Sequence, residues 1–199
     1  MTAVPDTNKS FFRWTGDVAN ELNAARSASA PYQASLSVNA SVAIGAVFGT
    51  FNETLATALD APALTFTTGG DASWLPVIDA TAQTGLTSAR SGAIGAESET
   101  WLDTTVEGTG TLTFRWRVDC EKDDGGGATW DRLSVWTNGV EAARIDGKTG
   151  WQTLTLPITG KTTVRWSFYR DDWDESGQAH ESCGWVDGII WTPNVTEGN

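Results

Sequence analysis

The stretch "TLTFRWRV" at 111–118 alternates apolar and polar side chains without a break. Leu112, Phe114, Trp116 and Val118 share one phase; Thr111, Thr113, Arg115 and Arg117 share the other. "TVRWSFY" at 163–169 repeats the pattern, with Val164, Trp166 and Phe168 against Thr163, Arg165, Ser167 and Tyr169. A period of two marks a β-strand with one face buried and one facing water. It is the strongest constraint in the chain. Long apolar helical runs are missing.

Further short runs follow at 63–68, 100–106, 131–139, 140–147, 151–158 and 184–193, most of them punctuated by Gly turns. Asn138-Gly139 between two of them is a hairpin signal. The stretch 75–99 is loop-rich. Seven or eight strands without intervening helices predict an all-β fold, an antiparallel β-sandwich over 63–199. The composition agrees, since 11 Trp and 21 Gly in 199 residues suit aromatic-rich strands joined by tight turns.

The first 51 residues differ. "FFRWTGDV" (11–18) predicts a strand, 20–31 a small polar loop, and 33–51 two short strands meeting at 39–41. Three such strands are marginal as a free-standing domain. Residues 52–62, ending at Pro62, form a connector with room for one helical turn.

The formal charge is −12 and the pI near 4.3. Such a surface repels phosphate backbones and disfavours anionic bilayers, so neither a nucleic-acid partner nor membrane insertion is expected. No run approaches the roughly 18 apolar residues of a membrane span. No signal-peptide pattern follows Met1. That leaves a cytosolic protein or a segment of a longer secreted chain.

Several motifs carry a resemblance over about 64–193: "GGDASW" (69–74), "SGAIG" (91–95), "FRWRVDCE" (114–121), "TGWQ" (149–152), "VRWSFYRDD" (164–172) and "GWVDGII" (184–190). The chain is similar to a β-sandwich module repeated in large bacterial secreted and surface proteins. Its Arg170 stands where that module carries Lys. The resemblance implies a jelly-roll or concanavalin-like sandwich, an extracellular location, and a carbohydrate-binding or adhesive role without catalysis. Residues 10–50 resemble the second half of an internalin-type B-repeat. This favours the reading as a segment of a longer secreted chain. It also raises the alternative of a structural surface or filament domain that self-associates through its N-terminal strands.

Cys120 and Cys183 are the only cysteines, both at strand edges. In an extracellular chain they are expected to form a disulfide; unpaired thiols are the alternative. His180 lies three residues from Cys183, but no oxyanion donor pattern supports a cysteine nucleophile. Acidic loops flank the pair. Asp119, Glu121, Asp123, Asp171 and Asp174 are candidates for Ca²⁺, although no "DxDxDG" spacing occurs; plain solvated surface charge is the alternative. Asp131 and Asp187 interrupt apolar strands and are expected to be structural buried acids, partnered by Arg115, Arg117, Arg165 or Arg170.

Trp116, Trp166 and Trp185 are expected in the core, with Trp101, Trp151 and Trp191 capping it. Trp130, Trp136 and Trp173 are candidates for exposure. The candidate ligand-binding residues are Trp136, Trp173, Tyr169, Arg165 and Arg117, because aromatic faces stack on sugar rings while Arg and acids bond hydroxyls. A glycosidase would need two carboxylates about 5–9.5 Å apart across a cleft, a distance that sequence does not supply.

Overall fold

Short runs rich in Thr, Val and aromatics become strands because branched and aromatic side chains pack well on a pleated surface. A computed structural model describes residues 2–3, 10–24, 34–35, 37, 39–49, 53–79, 81–122, 130–172 and 180–194. The chain divides into two compact units, Met1–Glu53 with Ile78–Thr81 and Thr54–Val77 with Ala82–Asn199.

In the first unit, β1 (Ser10–Gly16) pairs antiparallel with β2 (Ile44–Gly49). Between them lies α1 (Ala19–Ala24). A polar loop was expected there. Alanines and Leu22 favour helix, and Leu22 is fully buried with Phe11, Trp14 and Ala34. The expected strand at 33–39 does not form among the described residues of that stretch.

The second unit is an antiparallel β-sandwich. It opens with α2 (Leu55–Ala58), capped by Thr54 and Thr57 side chains that each bond the other's backbone N–H. Leu59 follows, fully buried, and its carbonyl accepts from Ile189 N at 2.9 Å. The strands are β3 (Phe66–Gly70), β4 (Leu75–Ile78), β5 (Thr87–Arg90), β6 (Ser98–Val106), β7 (Gly110–Asp119), β8 (Arg132–Thr137), β9 (Val140–Ile145), β10 (Gln152–Ile158), β11 (Thr162–Arg170) and β12 (Cys183–Pro193). One sheet has the order β10-β7-β12-β5-β4, the other β3-β6-β11-β8-β9. Strands β4 and β5 fall inside the stretch expected to be loop. Each has only four residues, too few for alternation to show.

The inner faces hold Leu112, Phe114, Trp116 and Val118 from β7 and Val164, Trp166 and Phe168 from β11, as their alternation requires. Phe114 sits edge-on to Trp166 with ring centroids 5.1 Å apart. Fully burying one such side chain contributes about 1.5–3 kcal/mol. Asn138 and Gly139 both take positive φ, 48° and 81°. That is the tight hairpin turn whose twist matches the flanking strands.

Trp185 corrects an expectation. It stands directly across from Arg117, while its neighbour Val186 stands across from the core residue Trp116. Trp185 therefore lies on the outer face of its sheet. It is buried there beneath the guanidinium of Arg117, 3.7 Å from the ring centroid, with Arg90 at 5.5 Å. Arg117 also lies over Trp151, at 5.2 Å. Outer-face arginine and tryptophan thus cover one another without core burial.

Candidate functional site

Strands β6, β11 and β8 lie side by side, and cross-strand partners share a face. Arg165 stands opposite Asp103 on one side and Trp136 on the other. Tyr169 stands opposite Glu99 and Arg132, and Ser167 opposite Trp101 and Ser134. The outer face of this sheet is therefore a band of aromatics, arginines, acids and hydroxyls.

Most of the band is internally satisfied. Arg165 donates Nε to Asp103 Oδ1 at 2.8 Å and Nη2 to Oδ2 at 2.7 Å. This two-pronged bond holds the guanidinium's pKa above its ordinary value. Arg165 also covers the Trp101 ring at 4.3 Å. Trp101 therefore does not cap the core. Its ring lies against Gly69, where a Cβ would come within 2.4 Å of it. Arg132 covers Tyr169 at 4.6 Å. Ser167 donates to Glu99, and Ser134 to Glu141 at 3.2 Å.

Trp136 is the exception. It is half-buried, and no aromatic or guanidinium among the described residues stacks on its ring. It lines an open cavity of about 640 Å³ with Glu99, Asn138, Gly139, Thr163 and Arg165. The hairpin tip forms one rim. Asn138 Oδ1 accepts from Thr163 N at 2.9 Å, and Asn138 N donates to Thr163 O at 2.9 Å. The reciprocal pair clamps the turn to β11.

The structure thus brings Trp136, Tyr169 and Arg165 to one face. Arg117 belongs to β7, in the other sheet, so it faces away from them. Trp173 lies outside the described residues. The indole N–H of Trp130 is buried and meets no hydrogen-bond acceptor among the described residues. Glu99, Trp101 and Asp103 were missed as site residues, although "ETWLD" (99–103) places all three in one phase. Asn138 and Thr163 join the site only through tertiary pairing.

The acidic end divides. Glu121, Asp131 and Asp171 are all buried, with carboxylate oxygens within 4.8 Å of one another. These hard donors lie within reach of one cation. Arg170 Nε lies 3.6 Å from Asp131, and Asp171 N donates to Asp131 Oδ1 at 2.9 Å. Asp119 stands apart from this group. It meets Lys148 at 2.8 Å and His180 Nδ1 at 3.2 Å. Burial alone would raise its pKa, but these two partners hold it below the ordinary value. Asp123 and Asp174 lie outside the described residues.

The expected disulfide is absent: Cys120 and Cys183 are both free and buried. Cys120 faces the core, while Cys183 Sγ accepts from Arg90 Nε at 3.1 Å. Asp187 is fully buried, and its partners are backbone groups. Oδ2 accepts from Gln83 N at 2.6 Å and Thr84 N at 3.2 Å, and Oδ1 from Gly188 N at 2.7 Å. Burial outweighs these donors and pushes its pKa up to about 6.

No protein-family model matches the chain, and no curated protein matches it. Solved structures show distant likeness. The secreted serine protease VesC from Vibrio cholerae is 19% identical over 53% of this chain, with a TM-score of 0.42, and the match spans 21% of that protein. The K1 cleaved adhesin domain of Lys-gingipain from Porphyromonas gingivalis W83 is 14% identical over 65% of this chain and 91% of its own, with a TM-score of 0.45. A family 35 carbohydrate-binding module from Clostridium thermocellum is 20% identical over 66% and 93%, with a TM-score of 0.35. None of these comparisons supports the B-repeat resemblance of residues 10–50. Likeness this distant leaves the chemistry of the site to its own residues.

Proposed function

We propose that the sandwich is a non-catalytic carbohydrate-binding module of an extracellular, adhesive bacterial protein. One observation carries this reading. Trp136 lines a cavity of about 640 Å³ with a ring on which no aromatic or guanidinium among the described residues stacks, while Trp101 and Tyr169 on the same sheet face are covered by arginines. An indole face flanked by amide, hydroxyl and carboxylate groups suits a pyranose, which has apolar C–H faces and a polar equator. Glu99, Asn138, Thr163 and Arg165 supply the polar side.

The test is affinity electrophoresis and calorimetry against a panel of polysaccharides, with Trp136→Ala as the variant. Binding by the parent chain that falls at least tenfold in the variant, with an unchanged melting temperature, is the expected result. No binding to any glycan, or equal binding by the variant, overturns the proposal.

A second reading rests on the first unit. Among the described residues, β1 and β2 form a sheet of two strands only. Such a sheet can add a strand from another chain, which would make this unit a self-association element. Concentration-dependent sedimentation tests it.

A further inference from the structure

We infer that the sugar this face takes carries a free amino group, so that the site selects hexosamine units over neutral sugars and rejects uronates. The inference rests on the carbohydrate reading above.

The charges around Trp136 are unequal in their availability. Arg165 is the one cation lining the cavity among the described residues. Both of its outward prongs are already taken by Asp103, at 2.7 and 2.8 Å. A guanidinium committed to a two-pronged carboxylate bond has little left for a second carboxylate. A uronate would also stand beside Asp103 and Glu99 with no free counter-charge. The other basic groups of this face are occupied or peripheral. Arg132 covers Tyr169 and donates to the Trp130 carbonyl. Arg144 stands across from Ser134 on the edge strand β9 and does not line the cavity.

Glu99 is in the opposite position. It is exposed and lines the cavity, and Ser167 occupies Oε1. Its second carboxylate oxygen has no bonded partner among the described residues. Glu141 stands directly across from Trp136 on its other side, with Oε2 taking Ser134. An indole face that shares its cavity with the Glu99 carboxylate, has Glu141 across from it and has its one arginine already neutralised presents a stacking platform and an acceptor for an ammonium group. A hexosamine ring carries that group next to its ring carbons.

The experiment uses the full chain and three short oligosaccharides of matched length: a glucosamine oligomer, its N-acetylated counterpart and an oligogalacturonate. Calorimetry at about pH 6 keeps the sugar amine protonated. The variants are Glu99→Gln and, as a control for the overall negative charge, Asp60→Asn. Asp60 is an exposed residue at φ 57°, which asparagine tolerates. An exposed ion pair of this kind supports a preference of roughly threefold for the amino sugar over its acetylated form. The expected result is that this ratio falls to about one in Glu99→Gln and persists in Asp60→Asn, with the galacturonate weakest throughout. Equal affinity for the amino and acetylated oligomers, a ratio that Glu99→Gln leaves intact, or preferred galacturonate binding overturns this inference. Those outcomes leave the carbohydrate reading standing. Failure of all three sugars, together with the wider panel, overturns both.

Discussion

Cys183 stands directly across the sheet from Asp119 rather than from Cys120, and this offset of one residue puts the two thiols on opposite faces. Side chains alternate with period two, so a one-residue offset is enough to forbid the bond without re-registering the strand. Burial pushes the Cys120 thiol up and the Cys183 thiol to about 11, so both stay protonated near neutral pH. Neither should react with a thiol reagent in the native protein, and both should react in denaturant. A reducing agent should leave the melting temperature unchanged. A melting temperature that falls on reduction would show a bridge.

Asp187 makes stability depend on pH in a defined direction. Its folded pKa, about 6, lies above the unfolded value of 3.8. The folded state therefore holds the proton more tightly, and its contribution to stability is complete below about pH 4. It is lost as pH rises through about 6. The full effect is up to about 3 kcal/mol. Asp187→Asn keeps an oxygen acceptor and removes the titration. The stability difference between parent and variant, followed by denaturant midpoints at several pH values, should change between about pH 4 and 6 and be flat above. A difference independent of pH in that window contradicts the assignment.

Asp103→Asn tests what the Arg165 pair does. The pair is partly exposed, so its loss should cost under about 1 kcal/mol. The larger effect falls on ligand choice. With its counter-charge gone, Arg165 offers a free cation beside Trp136, and the oligogalacturonate should gain affinity relative to the neutral sugar. Unchanged relative affinities would show that Asp103 does not set the charge preference of the face.

Much of this was legible in the residues. The alternation in β7 and β11 assigned Phe114, Trp116, Trp166 and Phe168 to the core, and Arg165 and Tyr169 to an outer face. Asn138-Gly139 marked its hairpin. Trp136 was selected because it falls out of phase with Leu133 and Val135, both fully buried. The short strands β4 and β5 were not legible, because four residues carry too little periodicity to separate strand from loop. The helix Ala19–Ala24 was hidden by its small polar neighbours. Trp185 was placed on a core face; its actual cover is Arg117 from a strand 68 positions earlier in the chain.

By itself, the sequence determined the all-β class and the two faces of the long strands β7 and β11, because these depend on near neighbours in the chain and on a period of two. Only the tertiary structure decided which faces share a sheet. That decision set Arg117 on the sheet opposite Arg165, separated Asp119 from Glu121 and Asp171, and kept the thiols apart. It also gathered Glu99, Trp136, Thr163 and Arg165 around one cavity. Strand order and register arise from long-range pairing, and a register offset of one residue reverses which side chains meet.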